Sequence, residues 1–363
     1  MTDPAFVALS LLPIHLWRHI GERLRAGDVP SGALRAIVAA RWPDDLQKRS
    51  ALLADAAIAI ARASARGLGA ISWSDPDYPP SLSAIIDPPP VLWTRGSIEA
   101  LRLPAIAIVG SRAASPYALD VAERLAAELA RRGIAIVSGL ARGVDSAAHR
   151  GAVSVGASTI AVLGCGADIV YPAEHGPLAR SIEPRGLIVS ELVPGTPPLP
   201  WFFPQRNRII SGLSRAVVVV EAGARSGSLI TARCALEQGR DVLAVPGNVL
   251  SGRNRGGHAL LRDGARIVET ADDILEELYG VGAAGTGAGP LVPDGLDRKR
   301  GTAPFHDPIL TCLTPGEPSD LDEIAERSGL TTARLLPRLF ELELQGVVTR
   351  VGGGRFVRVD RSC

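Results

Sequence analysis

Lysine is nearly absent from this chain of 363 residues. Arginine supplies all but two of the 39 basic residues, and the two lysines, Lys48 and Lys299, lie outside any glycine-rich turn. A P-loop needs a lysine directly after such a turn to hold phosphates, so a P-loop nucleotide-binding domain is excluded. A mechanism that forms a Schiff base on lysine has equally few candidates.

Cysteine is also scarce, and the four cysteines lie far apart in the sequence. There is no CxxC pair and no close cysteine–histidine spacing, so we expect no metal site. The first residues show no signal-peptide pattern. Together these features predict a protein of the reducing cytoplasm.

Long apolar runs and an excess of one charge sign are missing too. The longest uncharged run without proline, residues 151–167, contains four glycines. It is shorter than the ~20 apolar residues that a membrane-spanning helix needs, so we expect no membrane partner. The formal net charge is +1, which gives the whole chain no electrostatic attraction toward nucleic acid or membranes.

The sequence does contain a series of short β-branched runs, separated by helix-length segments, between residues 105 and 279. The runs are continuous rather than alternating, which is typical of strands covered by helices on both faces. Repeated strand–helix–strand units predict an α/β fold with an extended Rossmann-like, doubly wound, mostly parallel sheet. The predicted strands are residues 106–109, 134–137, 159–163, 187–189, 217–220, 242–245 and 266–268.

The remaining regions predict further domains. Residues 1–95 predict a small helical, SAM-like N-terminal domain, followed by a proline-dense connection at 75–90 that excludes helix. Residues 96–279 form the Rossmann-like domain, and the glycine-rich residues 280–304 predict a flexible linker. Residues 305–363 show the order helix, turn, helix and glycine-flanked hairpin, which predicts a winged-helix domain.

Polar, glycine-rich segments follow the predicted strands, and the carboxyl ends of parallel strands meet at one edge of a sheet. Small residues at that edge let backbone amides and helix N-termini approach an anion closely. Arginines add bidentate donors for phosphate, and the adjacent Phe202 and Phe203 offer rings on which unpaired bases stack. This edge therefore predicts a site for a nucleotide or for single-stranded nucleic acid. Its arginines are Arg112, Arg142, Arg206, Arg208 and Arg225.

The dinucleotide-binding fingerprint is missing from this edge. Gly110-Ser111-Arg112 stands where the first glycine pair would be, and Gly164-Cys165-Gly166 lacks the third glycine. A nicotinamide cofactor is therefore disfavoured, and we predict no cofactor. The chain also contains no nucleophile elbow and no HExxH zinc motif.

Two groups of side chains could serve in catalysis. Asp145 and His149 are four residues apart at a predicted helix start, and Glu191 and Glu221 each follow a predicted strand. We interpret Asp145 as a helix cap and His149 as a partner of a loop carbonyl, because both are common near helix ends. For the two glutamates, holding neighbouring loops is at least as good an interpretation as catalysis.

Several independent motifs follow one another at consistent spacing over about 170 residues. They are residues 109–112, 138–145 with 148–149, 159–164, 171–172, 203–208, 226–232 and 245–247. Taken together and in this order, these segments resemble the DprA/Smf family of DNA-processing proteins. The upstream segments Asp77-Tyr78-Pro79 and Asp87-Pro88-Pro89 and the C-terminal winged-helix unit are also similar to the family.

This resemblance implies an extended Rossmann fold that binds single-stranded DNA without catalysis and forms a homodimer through its later Rossmann elements. It also implies recruitment of the RecA recombinase onto incoming strands during natural transformation. By motif, Arg112 would contact backbone phosphate, and Phe203, Arg206 and Asn207 would line the pocket. The backbone of residues 138–139 and 226–228 would close it. The full predicted DNA-binding set is Gly110, Ser111, Arg112, Ser138, Gly139, Arg142, Phe203, Arg206, Asn207, Arg208, Ser226, Gly227 and Ser228.

Two other interpretations stay open. The first is a nucleotide-processing enzyme of a related Rossmann-like fold, such as the phosphoribohydrolases that resemble lysine decarboxylases. Pro246-Gly247-Asn248 departs from the Pro-Gly-Gly-x-Gly-Thr loop of those enzymes. The second is a regulator that reads duplex DNA through the winged helix. Its predicted recognition helix is interrupted by Pro337, and residues from 281 onward hold ten basic and eleven acidic residues, whereas duplex readers are usually more basic.

Overall fold

A computed structural model shows the chain as two compact units, Met1–Val292 and Pro293–Cys363. The predicted linker, residues 280–304, lies outside the described residues. The structure describes residues 2–279 and, nearer the C-terminus, residues 313, 319–328, 335, 339, 342–343, 348–351 and 355–358.

A nine-stranded sheet forms the centre of the first unit. Its strands are β1 (Gly69–Ser72), β2 (Val91–Gly96), β3 (Ala105–Val109), β4 (Ala135–Ser138), β5 (Thr159–Val162), β6 (Leu187–Ser190), β7 (Ala216–Val219), β8 (Asp241–Ala244) and β9 (Arg266–Ile267). Their order across the sheet is β1-β2-β6-β5-β4-β3-β7-β8-β9, and all pairings from β6 to β9 are parallel. The chain extends the sheet from β3 toward β6 and then from β7 in the other direction. The reversal between β3 and β7 is a topological switch point, where doubly wound sheets bind ligands.

Alternate side chains of the parallel strands face two separate apolar layers. In β3, Ile106 and Ile108 pack into one layer, and Ala107 and Val109 pack into the other. All four are buried because helices cover both faces of the sheet. The structure thus confirms the predicted α/β, doubly wound, mostly parallel fold, and each predicted strand is present within a residue or two of its predicted bounds.

Helices cover the sheet on both sides. They are α1 (Pro4–Ser10), α2 (Trp17–Arg25), α3 (Pro30–Arg41), α4 (Lys48–Ala65), α5 (Pro80–Ser83), α6 (Pro116–Arg131), α7 (Val144–Ser154), α8 (Gly176–Ile182), α9 (Phe202–Gly212), α10 (Ser228–Glu237), α11 (Arg255–Arg262) and α12 (Ala271–Tyr279). Helices α6, α7 and α12 pack on one face, whereas α9 and α10 pack on the other through Ile209 and Ala232. The N-termini of α6, α9 and α10 therefore meet at the carboxyl edge of the sheet.

The N-terminal region combines helices with two strands. Helices α1 to α4 enclose an apolar cluster that contains Phe6, Trp17 and Leu34, which confirms the helical prediction. Strands β1 and β2, which were not among the predicted strands, extend the sheet in antiparallel pairing beside β6. Trp93 of β2 pairs with Ser190 and is fully buried. The sheet therefore begins within residues 1–95. The predicted exclusion of helix from residues 75–90 is wrong, because the short helix α5 (Pro80–Ser83) lies there. Pro80 occupies its first turn, where no backbone amide donor is needed.

The second unit contains a short helix and a hairpin. Helix α13 (Leu321–Ser328) precedes the antiparallel strands β10 (Val348–Val351) and β11 (Arg355–Arg358). Ile324, Val348 and Phe356 are buried in one cluster. These elements follow the predicted winged-helix order, although most of the predicted second helix, residues 331–345, lies outside the described residues. Among the described helices of both units, none combines the length and apolarity that crossing a bilayer requires.

Candidate functional site

A cavity of about 730 Å³ opens at the carboxyl edge of the sheet, at the switch point between β3 and β7. The loop after β3, the loop after β7 and the first turns of α9 and α10 form its walls. Nine of the thirteen predicted DNA-binding residues line it. They are Gly110, Ser111, Arg112, Phe203, Arg206, Asn207, Ser226, Gly227 and Ser228.

Close backbone packing fixes the loop after β3. The Ser111 amide donates to the Glu221 carbonyl at 2.7 Å, and the Val144 amide donates to the Ser111 carbonyl at 3.2 Å. A Cβ on Gly110 would lie 2.6 Å from the Val144 side chain, so a larger residue would push the loop away from α7. This packing leaves Arg112, the next residue after Ser111, exposed above the cavity.

Arg112 forms a contiguous array with two aromatic rings. Its guanidinium lies 5.3 Å from the centre of the Phe203 ring, and the Tyr171 ring lies 5.4 Å from Phe203 at a tilt of 43°. Tyr171 is 43% exposed, and no carboxylate of the described residues forms an ion pair with Arg112. An unpaired guanidinium beside the exposed Tyr171 ring and the half-buried Phe203 ring can hold a phosphate and stack a base at the same time.

Arg206 lies below this array, and its guanidinium is held by hydrogen bonds within the protein. It donates to the carbonyls of Gly139 and Val162 and, through Nε, to the Asn207 side chain. Its guanidinium is buried 3.9 Å from the Asp145 carboxylate. Burial lowers the pKa of Arg206 to about 10, and Asp145 opposes this effect, so Arg206 stays charged at neutral pH. It contributes positive potential and rigidity to the floor of the cavity.

Asp145 holds the loop between β4 and α7 but does not cap α7. Its carboxylate accepts a hydrogen bond from the Gly139 amide at 3.1 Å, and the helix is preceded by Gly143, whose φ is +77°. A Cβ on Gly143 would collide with the Ser111 carbonyl, so glycine is required there. Burial raises the pKa of Asp145, and the Arg206 guanidinium opposes the rise. The predicted cap is therefore wrong in detail, because the acid binds an upstream loop amide instead.

His149 is also buried, and its partner differs from the predicted loop carbonyl. Its Nδ1 lies 2.7 Å from the Thr159 hydroxyl of β5, and its Nε2 has no partner within the described part of the chain. Burial, with a smaller effect of Arg206, lowers the pKa of His149 to about 3, so the ring is neutral. Asp145 and His149 thus hold different partners and do not form an acid–base pair.

The two strand-end glutamates also accept hydrogen bonds from nearby residues. Glu221 accepts hydrogen bonds from the amide and hydroxyl of Ser115, 3.1 Å and 2.6 Å away. Glu191 accepts from Gln205 at 3.0 Å and from Arg208 at 2.7 Å. Glu221 thus holds the end of the loop before α6, as the structural interpretation of the sequence expected, whereas Glu191 binds two side chains of helix α9 rather than a loop.

Four predicted site residues lie outside the cavity lining. Ser138 is buried and donates to the Ile108 carbonyl at 2.7 Å, and Gly139 packs against the Arg206 guanidinium from below. Arg142 is exposed but forms a two-point ion pair with Glu174 at 2.6 and 2.8 Å. Their contact with DNA stays a prediction without support from the cavity geometry.

The fourth, Arg208, points away from the cavity into the N-terminal region. Its Nε donates to Asp87 at 2.9 Å and its Nη2 to Glu191 at 2.7 Å. The guanidinium also stacks 5.4 Å from the centre of the Trp17 ring of α2. Although burial lowers the pKa of Arg208, the nearby Glu191 and Asp87 raise it above its ordinary value. This arginine links α9 to Trp17 of α2 and to the loop residues Asp87 and Glu191.

The cavity also contains residues that the predicted set omitted. Tyr171 and Arg225 line it, and Ile230 of α10 is exposed at its rim. The sequence carried a signal for two of them, since Tyr171 belongs to a motif segment and Arg225 to the arginines of the strand edge. The Ser226 and Ser228 hydroxyls lie 2.7 Å apart at the start of α10, where Asn207 donates to the Gly227 carbonyl at 3.3 Å.

Comparison with known proteins identifies relatives over most of the chain. The family described as DNA recombination-mediator protein A matches residues 69–279, and the DprA winged helix domain matches residues 297–354. Protein Smf of Escherichia coli is 43% identical over 291 residues, which cover 79% of this chain and 76% of that protein.

Solved structures show the same similarity. DNA processing protein A (DprA) of Streptococcus pneumoniae superposes with a TM-score of 0.64 at 36% identity, covering 76% of this chain and 98% of that one. DNA processing protein A of Helicobacter pylori, whose structure was reported for its single-stranded DNA binding mode, gives a TM-score of 0.53 at 30% identity. That match covers 58% of this chain and 95% of the other. This chain belongs to the DprA/Smf family of DNA-processing proteins.

Proposed function

We propose that the cavity between β3 and β7 binds single-stranded DNA. The array of Arg112, Phe203 and Tyr171 carries this proposal. Within one cavity it offers a charged hydrogen-bond donor for phosphate and ring faces on which bases can stack. The N-terminus of α10, which also lines the cavity, adds the positive end of a helix dipole beside it. The binding mode named for the Helicobacter pylori relative supports the same ligand.

A non-catalytic role agrees with the occupation of the candidate acids and bases. Asp145, His149, Glu191 and Glu221 are buried, and each forms at least one hydrogen bond within the protein. The alternative is a nucleotide-processing enzyme, whose loop would correspond to Pro246-Gly247-Asn248. That segment lines a different cavity from the one that holds Arg112. Release of a nucleobase from a nucleoside monophosphate by the purified chain would favour the enzyme.

Fluorescence anisotropy with labelled single-stranded and duplex oligonucleotides of one sequence tests the proposal. Binding of the single strand should be tighter, and it should weaken with salt because phosphate contacts release counterions. Arg112→Ala should lower the affinity roughly tenfold, since it removes a charged hydrogen bond. Arg124→Ala, at an exposed position on α6 outside the cavity lining, is the matched control. Equal effects of the two changes would refute the site.

We further propose that the chain loads the RecA recombinase onto single-stranded DNA in the cytoplasm, as in natural transformation. The family description as a recombination mediator supports this role. The lag before RecA hydrolyses ATP on single-stranded DNA should shorten when the chain is added. Arg112→Ala should restore the lag, because a chain that cannot hold the strand cannot place RecA on it. An unchanged lag with the intact chain would contradict this proposed function.

A homodimer through the later Rossmann elements is also part of the proposal. Strand β9 is one edge of the sheet, and Ile267 on this strand is 58% exposed. An edge strand with an exposed aliphatic side chain is suited to pairing with another copy. Sedimentation should give a dimer for the intact chain and a monomer for Ile267→Glu. A monomeric intact chain would contradict the dimer without affecting the DNA site.

A further inference from the structure

A second cavity, of about 890 Å³, opens on the other side of the loop after β3. Arg112 and Ala113 of this loop face the first cavity, whereas Ser115 at the end of the loop faces the second. The two cavities are therefore neighbours along the carboxyl edge of the sheet. The second is lined by Ser115, Tyr117, Val220, Glu221 and residues 246–251, 253 and 254.

The second cavity offers a platform for flat, apolar groups. The Tyr117 side chain is 55% exposed, and opposite it the loop after β8 carries Val249 and Leu250, which are 76% and 92% exposed. The Tyr117 hydroxyl reaches the Pro246 carbonyl at 3.4 Å, which holds the ring against this loop. An aromatic face and two aliphatic side chains exposed in one cavity suit a stacked nucleobase.

Positive charge connects the two cavities. Arg253 lines the second cavity, and its Nη1 donates to the carbonyl of Ala113, which lines the first, at 3.0 Å. Among the described residues no carboxylate forms an ion pair with Arg112, Arg225 or Arg253, whereas the exposed Arg142 is paired with Glu174. Three guanidiniums that no described carboxylate neutralises are complementary to a phosphate backbone that crosses from one cavity to the other.

The acidic group in the second cavity does not oppose such a path. Glu221 is 6% exposed, and both of its carboxylate oxygens accept hydrogen bonds from Ser115. Its charge is therefore directed toward the start of α6 rather than toward the opening. The opening is left to the neutral Tyr117, Val249 and Leu250 and to the cationic Arg253.

We propose that a single strand held in the first cavity continues over the loop 110–115 into the second cavity. There Tyr117 stacks a further base, and Arg253 contacts the phosphate between the two cavities. This inference rests on the proposed binding of single-stranded DNA and assigns that binding a second subsite. It predicts that strand length, and not only strand chemistry, determines affinity.

The test compares two oligothymidylates, of about 4 and about 12 nucleotides, so that only the longer one can fill both cavities. Tyr117→Ala and Arg253→Ala should each weaken the longer strand about tenfold and leave the affinity for the shorter one unchanged. Arg112→Ala should weaken both lengths. Tyr117→Phe, which keeps the ring, should bind both lengths as the intact chain does. Thermal unfolding of each variant checks that the exposed substitutions leave the fold intact.

Three results would overturn the second subsite. The first is equal affinity of Tyr117→Ala and the intact chain for the longer strand. If Arg112→Ala still weakens both lengths, the first cavity remains the binding site. The second is a changed sedimentation coefficient of Tyr117→Ala with unchanged DNA affinity, which would assign the surface to another copy of the chain. The third is absence of single-strand binding by the intact chain, which would overturn the proposed function as well.

Discussion

Replacing Arg208 by methionine tests whether this arginine supports α9 or contacts DNA. In the structure it joins Glu191 at 2.7 Å and Asp87 at 2.9 Å, and it stacks on Trp17. Arg208 and Glu191 are both buried. Methionine fills a similar volume but leaves the Glu191 carboxylate without its cation.

The expected loss of stability is large because an unpaired buried charge remains. Breaking a buried ion pair by removing one partner lowers the free energy of unfolding by about 3–5 kcal/mol. The additional change Glu191→Gln should recover part of that loss, since a neutral amide costs less to bury than a carboxylate. Urea unfolding, followed by both tryptophan fluorescence and circular dichroism, measures the three proteins on one scale.

The pH dependence of Arg208→Met has a definite sign. Burial already raises the pKa of Glu191 and Arg208 lowers it, so the variant raises this pKa further. A folded carboxyl with a raised pKa retains its proton to higher pH than the unfolded one, so the folded state loses stability as pH rises through that window. The deficit of the variant should therefore be largest near pH 7 and should shrink toward about pH 5.

Two results would refute this assignment of Arg208. One is a loss of less than about 1 kcal/mol in Arg208→Met, which is the range of an exposed ion pair. The other concerns the number of counterions released on single-strand binding, read from the salt dependence of affinity. If Arg208→Met lowers this number by about one, as expected for Arg112→Ala, then Arg208 is a phosphate contact.

Three further changes test other parts of the site. Gly139→Ala places a Cβ into the Arg206 guanidinium, so the free energy of unfolding should fall by about 1–3 kcal/mol and single-strand affinity should fall with it; unchanged values of both would contradict this contact. Because the pKa of His149 is lowered to about 3, the unfolded chain takes up a proton below about pH 6.5 that the folded chain does not. The free energy of unfolding should therefore drop by about 2 kcal/mol more between pH 6.5 and 5 in the intact chain than in His149→Gln. Equal drops in the two proteins, measured by urea unfolding, would contradict the neutral ring. Phe203→Ala should weaken single-strand binding at least fivefold in anisotropy, whereas Phe202→Ala, outside the cavity lining, should not; equal losses would argue against stacking on Phe203.

The parallel part of the sheet could be predicted because its signal is local. Runs such as 217–220 are apolar on both faces, and only strands covered by helices have that pattern. Strands β1 and β2 could not be predicted, because they have no comparable local signal. Residues 69–72 are few and begin with glycine, and β2 follows three consecutive prolines; both become strands through antiparallel pairing that ends at β6.

The candidate site was predicted as far as strand-end position determines it. Loops that follow neighbouring parallel strands must meet, so Arg112 and Ser226 could be assigned to one edge before the structure was known. The direction of a long side chain was not predictable, because it depends on partners distant in sequence. Arg208 is turned inward by Asp87 and Trp17, and no local pattern distinguishes it from an exposed arginine.

Photo-cross-linking tests the central claim most directly, because it locates the strand on the protein without a substitution. A single strand carrying 5-iododeoxyuridine is irradiated with the intact chain, and the modified peptides are identified by mass spectrometry. Cross-links are expected to the peptides that contain Tyr171 or Phe203, and they should disappear when unlabelled single strand competes. Cross-links confined to the second unit, residues 293–363, would contradict the cavity as the DNA site.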